Sequence, residues 1–379
     1  MKNILLIGFG SEIGSMLIYL NNPKKDKIYI STVITKLIDA TVEDSLSSLK
    51  ARLIILNPTL INSIKVDKTK SLLFINKKKI KIIWADSNNL NKINFKKKFD
   101  ATIIATSKQQ INDIKLMNSF LKFSKFVFGV AENVNLPAIY PSLLDMDDKL
   151  MPIKKKTTNK KIFIFGSCQS NGWMSSLRCL IDVANKLCSS FQLLNAEVDI
   201  IHPDTPTGRL GTKGMNPRDQ DPRDNLRPSF SQVSDSMKRL FPKIEIQNTV
   251  SLRTLISPPG YMIARFFFKY KTKNKKGLNY KVIKNNLVKF SLKNKYKYSA
   301  SDLSLGSKAY SFSENSSDIL IDKKYLIYKE NVFKSISSKN RISELIVQSY
   351  VHNTRGYSRS VIESLKYFFY SKRRNFFYD

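Results

Sequence analysis

Cys168 stands where the pattern of the chain changes. Before it, "KKIFIF" is a basic pair leading into an apolar run, and Gly166 and Ser167 make a turn of small residues. After it, Trp173, Leu177, Leu180, Ile181 and Ala184 recur at three-and-four spacing, which predicts a helix with one buried face. A cysteine at the start of that helix meets unpaired backbone N–H groups and the positive end of the helix dipole, both of which favour a thiolate. The chemistry on offer is nucleophilic attack. Cysteines at helix starts are structural more often than reactive, so the reading needs a partner for the sulfur.

The chain has only two histidines. His202 follows the β-like run "AEVDII" and precedes the loop "PDTPTGRLGTKG", and His352 lies in "VHNTRGYS", also at a predicted strand end. A thiol nucleophile needs a neighbouring base, and a strand end facing a loop is a place to hold one. Ser167, Thr205, Thr207 and Ser231 are hydroxyl donors beside turns, suited to an anionic ligand. Arg253 interrupts the run "VSLRTLI", where a guanidinium pairs with a carboxylate or an anion unless it faces solvent.

Something must position these groups. "NILLI", then "GFGSEIG", then a helix-like run from Ile13 to Leu20 gives strand, glycine turn and helix, the opening of a dinucleotide-binding unit. Its Gly8, Gly10 and Gly14 are spaced one residue wider than the common fingerprint, and the plain alternative is a tight turn after a strand. The second β-like run, "KIYISTVIT", ends at Thr35 and Lys36 with Asp39 further on, which leaves NAD and NADP both open. Further short runs, "SLLFI", "KIKIIWA", "ATIIAT" and "FVFGVA", alternate with helix-like stretches, so residues 1–166 read as a Rossmann-type α/β nucleotide-binding domain. From 167 to 352 longer β-like runs dominate, with two or three helices, and predict an α+β domain on a mostly antiparallel sheet. Ser358 to Ser371 reads as a last helix, and Cys179 and Cys188 both fall within the helix after Cys168.

Composition limits the classes. The 379 residues suffice for about two domains. No apolar run is long enough to span a bilayer and three cysteines make a poor disulfide framework, so the expectation is a soluble protein of a reducing compartment, the cytoplasm. Lys and Arg number 64 against 30 acidic residues, a formal charge of +34. Nucleic acid is one partner such a charge allows, but the lysines are scattered through predicted strands, turns and helices without an aromatic-interleaved stripe, so compositional bias is favoured.

Taken in order, "LLIGFGSEIG", "FGSCQSNG", "IIHPDTPTG", "NLRPSFSQVSDSMKRLFP", "VSLRTLISP" and "VQSYVHNTRGYSRSVIESLKYF" resemble successive motifs of the glyceraldehyde-3-phosphate dehydrogenase family. The resemblance runs over nearly the whole chain and implies an NAD- or NADP-dependent phosphorylating aldehyde dehydrogenase of carbohydrate metabolism, such as glycolysis. It implies that Cys168 attacks the aldehyde carbon and that His202 serves as the base. Gly8, Phe9, Gly10, Ile13 and Thr106 would line the cofactor, Asn353 would orient the nicotinamide carboxamide, and Tyr357 would pack near its ring. Thr205 and Arg253 would hold a substrate phosphate, and Ser167 and Ser231 the attacking inorganic phosphate. No metal is implied. The helix of residues 353–379 would fold back on the first domain, and homotetramers would be the usual assembly. The sequence departs from the family at the extra residue of the glycine turn, at Gln169, and at Phe230 and Gln232 around Ser231. A relative acting on another aldehyde, or a non-catalytic nucleic-acid binder on the same fold, are the alternatives.

Overall fold

The computed structural model describes every residue except 87–89, 147–149, 151–152, 154–158, 204–225, 230, 243–248, 257, 274–276, 312–316, 333–341, 372–377 and 379. It is an α/β fold built on two mixed sheets. The first contains β1 (Lys2–Ile7), β2 (Ile28–Thr35), β3 (Ile64–Asp67), β4 (Leu72–Ile75), β5 (Lys78–Trp84), β6 (Phe99–Ile104), β7 (Ser124–Gly129) and β8 (Ile162–Ile164). Their spatial order is β3-β4-β5-β2-β1-β6-β7-β8. Pairing is parallel from β5 to β8 and antiparallel only through the β3-β4-β5 ribbon. Between the strands come α1 (Glu12–Leu20), α2 (Pro23–Asp26), α3 (Val42–Leu56), α4 (Lys108–Asn112) and α5 (Ile114–Ser119). Strands buried on both faces need near-continuous apolar runs, and Ile4, Leu5 and Leu6 of β1 are fully buried.

α6 (Cys168–Leu187) leads from β8 into the second sheet. That sheet holds β9 (Cys188–Pro203), β10 (Arg227–Pro228), β11 (Thr249–Thr254), β12 (Gly260–Thr272), β13 (Tyr298–Ser301), β14 (Ile319–Asp322), β15 (Ile327–Lys329) and β16 (Ser343–Val351). The order is β10-β11-β9-β12-β16-β14-β13, with β15 also on β16. It is mostly antiparallel, as expected, with parallel pairing at β9–β11 and β13–β14. Its helices are α7 (Val233–Leu240), α8 (Tyr280–Lys293) and α9 (Ser307–Ser311).

The final helix, α10 (Arg355–Tyr370), starts three residues before the expected Ser358. Its buried Tyr357, Val361, Ile362 and Leu365 belong to the same apolar cluster as Phe9, Phe128, Phe163 and Phe165 of the first sheet. Arg359 of α10 ion-pairs with the fully buried Asp26 at 2.8 Å. One expectation fails: Cys188 is not helical. α6 ends at Leu187, and Cys188 opens β9, where it pairs with Thr272. "DILIDKKYLIYK" likewise divides into β14 and β15.

Candidate active site

The parallel strands β1, β2, β6, β7 and β8 point their carboxyl ends to one edge, so the turns after them share that edge. After β1 comes the glycine turn. Gly8 adopts φ +98°, and a Cβ on Gly14 would lie 1.9 Å from the Gly8 carbonyl oxygen, so α1 packs on the strand end only because both are glycine. Ser11 caps α1 by accepting from the Gly14 N–H at 2.9 Å, while its own hydroxyl donates to the Ala105 carbonyl at 2.5 Å. That bond ties the turns after β1 and β6 together. The strand order reverses between these two strands, which is where open α/β sheets bind ligands.

A cleft of 810 Å³ opens there, lined by Gly8, Gly10, Ser11, Thr35, Lys36, Asp86, Thr106 and Gln110 among others. Thr106 Oγ1 is buried in its wall without a hydrogen-bond partner among the described residues. The cradle fits a dinucleotide: Gly8 and Gly10 let a ligand approach the backbone, the turn leads into the N-terminus of α1, and the Thr106 hydroxyl lacks a partner among the described residues. Phe9 is fully buried in the core and offers only its backbone, and Ile13 packs against the same core. Lys36 is the exposed cation at the end of β2, and the exposed Asp39 carboxylate accepts from Ser48.

The turn after β8 carries Cys168. Gly166 adopts φ +71°, and a Cβ there would meet Tyr140 at 2.8 Å and the Glu132 carboxylate at 3.0 Å. Ser167 caps α6, accepting from the Ser170 N–H at 3.1 Å, and Asn171 Nδ2 donates to the Phe165 and Ser167 carbonyls at 2.6 and 2.9 Å. Cys168 therefore begins a firmly capped 20-residue helix and is half-buried, while Cys179 and Cys188 are buried. Burial pushes the Cys179 thiol well up and the Cys188 thiol up to about 11. Tyr357 lies against the same corner, its hydroxyl donating to the Gly166 carbonyl at 2.6 Å. Three strand spacings, roughly 14 Å at about 4.8 Å each, separate β1 from β8, so the glycine turn and Cys168 lie a bridging ligand's length apart on one edge.

His202 is the penultimate residue of β9 and half-buried. Its Nδ1 lies 2.5 Å from the Pro203 carbonyl and 3.5 Å from Arg253 Nη1. The two contacts ask opposite roles of Nδ1. The shorter one places the proton there, which leaves the lone pair on Nε2, the tautomer a base requires. The register sets Arg253 beside His202 and Arg227 beside Arg253, both arginines buried, so a cationic row crosses this end of the sheet. The carboxyl end of β16 meets the same end: Val351 pairs with Gly260, and Tyr261 with Ile201 next to His202. α6 lies over it, Gly172 packing on Val351 and Met262 one turn after Cys168.

Asn353, just beyond β16, is half-buried with Oδ1 buried and without a partner among the described residues. His352 is buried too. Burial, and then the charge of Arg355, push its imidazole down to about 4. Ser231 is buried before α7 and accepts from the Val233 N–H at 3.3 Å. Thr205 and Thr207 lie outside the described residues.

Sequence reasoning passed over Glu132. It is fully buried beyond the end of β7, with Tyr140 donating to Oε1 at 3.1 Å, Arg239 at 3.4 Å and Ser236 donating to Oε2 at 2.7 Å. The signal was one acid closing an apolar run, "FVFGVAE", in a chain poor in acids. The sequence matches no protein-family model, and no curated protein matches it significantly.

Proposed function

We propose that the chain is an NAD- or NADP-dependent phosphorylating aldehyde dehydrogenase of the glyceraldehyde-3-phosphate dehydrogenase type. The observation that carries this reading is the shared edge: a glycine-turn cleft at one place and Cys168, on a capped helix tip, three strands along it. The ordered motif resemblance agrees with it. Gly8, Gly10, Thr106 and Asn353 would hold the dinucleotide, which when bound supplies a hydride acceptor. Cys168 Sγ adds to the aldehyde carbon, forming a C–S bond and a thiohemiacetal. His202 Nε2 takes the hydroxyl proton as the carbon is oxidised to the thioester. Inorganic phosphate then adds to that carbon, the C–S bond breaks, and an acyl phosphate leaves with the thiol regenerated. Arg253 and Arg227 neutralise the substrate phosphate, and Ser167 and Ser231 serve the attacking one. Tetramers are the assembly this reading implies.

The deciding assay is reduction of NAD and NADP by a panel of aldehyde phosphates, with and without inorganic phosphate. Turnover that disappears in Cys168→Ser while cofactor binding persists is the expected result. Undiminished turnover in that variant defeats the mechanism. The charge of +34 supports a second reading, binding of nucleic acid. Salt-dependent retention of nucleic acid with no thiol-dependent turnover would favour it.

A further inference from the structure

A chain of hydroxyls runs from the buried carboxyl of Glu132 to the lip of the Cys168 corner. Ser236 Oγ lies 2.7 Å from Glu132 Oε2 and 2.7 Å from Ser170 Oγ, and Ser170 Oγ lies 2.9 Å from Ser167 Oγ. Glu132, Ser236 and Ser170 are buried, whereas Ser167 and Cys168 are half-buried. Each hydroxyl has one proton to donate, so the chain has two self-consistent directions. With Glu132 ionised, Ser236 donates to the carboxylate, Ser170 to Ser236 and Ser167 to Ser170, and Ser167 offers only lone pairs outward. With Glu132 protonated, the carboxyl donates to Ser236, Ser236 to Ser170 and Ser170 to Ser167, whose own proton turns outward. No bond to carbon or sulfur changes. The net change is one proton, taken up at Ser167 and shifted along the hydroxyls to the buried carboxyl, which leaves one donor turned outward at Ser167.

We propose that Glu132 is a positioning residue for Cys168: through Ser236 and Ser170 its protonation sets whether Ser167 donates or accepts a hydrogen bond at the nucleophile's corner. The inference rests on the reading of Cys168 as the nucleophile. Desolvation pushes the carboxyl up, against the pull of Arg239 and the hydroxyls of Ser236 and Tyr140, with Asp235 pushing in the same direction as burial. The other titratable groups at the corner are Tyr357 of α10 and Tyr140, which burial holds in their neutral forms, Cys168 itself, and Asp318, whose charge reaches Tyr357.

The test is the rate of Cys168 alkylation by iodoacetamide in the full-length protein between pH 5 and 8.5, read by peptide mass spectrometry. Ser236→Ala keeps the Glu132–Arg239 pair but cuts the chain. Wild type should alkylate about tenfold faster than this variant at the acidic end, where Ser167 donates towards the sulfur, and no faster at pH 8.5, where Ser167 in wild type only accepts while the variant leaves it free to donate. Ser236→Thr, which restores the hydroxyl, should follow wild type. Glu132→Gln, whose amide donates at every pH, should keep the advantage over Ser236→Ala at pH 8.5. A wild-type to Ser236→Ala ratio independent of pH, in variants that melt cooperatively, overturns the proposal, because a structural role alone gives that result. The readout needs neither aldehyde nor dinucleotide. A pH-dependent ratio in a protein without dehydrogenase turnover would sink the proposed reaction and keep the relay.

Discussion

The hydroxyl of Tyr357 donates to the carbonyl of Gly166 at 2.6 Å, joining residues 191 apart in sequence. The last helix thereby holds the turn that presents Cys168. Tyr357 is 2 % exposed, so removing its hydroxyl strands a buried carbonyl. Tyr357→Phe should lower unfolding free energy by about 1–3 kcal/mol in a denaturant titration. It should also slow Cys168 alkylation, since the corner loses a fixed point. Unchanged stability would mean that water replaces the hydroxyl.

The three thiols differ in access. Cys168 is half-buried at a helix tip, whereas Cys179 and Cys188 are 1 % and 0 % exposed and burial raises both. Limiting iodoacetamide on the native protein should modify Cys168 at least tenfold faster than either of the others. Peptide mapping checks this, and equal labelling would remove the special environment assigned to Cys168.

Gly14 makes the tightest contact of the glycine turn, against the Gly8 carbonyl. An alanine Cβ there would approach the Gly8 carbonyl to 1.9 Å, so α1 must move off β1. Gly14→Ala should cost about 1–3 kcal/mol of stability and weaken dinucleotide binding by tenfold or more. Fluorescence titration with reduced NAD and NADP measures the second effect. Binding equal to wild type would place the dinucleotide elsewhere.

Two buried groups give opposite pH dependences. Burial, opposed by the hydroxyls of Ser360, Ser142 and Ser175, pushes Asp318 up to about 7. The folded chain then keeps a proton that the unfolded chain has lost, so this contribution falls as pH rises from about 4 through about 7. His352, pushed down to about 4, excludes a proton that the unfolded chain binds below its ordinary 6.5. Its contribution is present above 6.5 and lost as pH falls through about 4. Asp318→Asn should therefore gain on wild type by about 1.4 kcal/mol per pH unit between pH 4 and 7. Denaturant midpoints across that range test it, and a constant difference between the two proteins would show that Asp318 titrates normally.

The strands were legible where burial alone decides them. β1, β12 and β16 coincide with apolar runs in the sequence. Cys188 was misread because the apolar spacing of α6 runs on into an apolar residue. What ends the helix is the pairing of Cys188 with Thr272, a distant contact that local spacing cannot contain. The break between β14 and β15 was missed for a related reason: "DKKY" is polar enough for an exposed strand, and the turn is set by Asp322 accepting from the Lys324 N–H. Cys168, Gly8 and Gly14 could be found because each sits at a local change of pattern. Glu132 was passed over because its partners, Tyr140 and the α7 residues Ser236 and Arg239, reach it from segments distant in sequence.

α10 completes the apolar cluster under β1, β6, β7 and β8, although some 190 residues of chain lie between β8 and that helix. At roughly 5–20 residues per second, a ribosome needs on the order of 10–40 s to make that stretch. During that interval Phe128, Phe163 and Phe165 present an uncovered greasy face inside the cell. The nascent half-molecule is thus a natural client for a holding chaperone, and truncation ahead of Tyr357 should yield inclusion bodies instead of a free N-terminal unit.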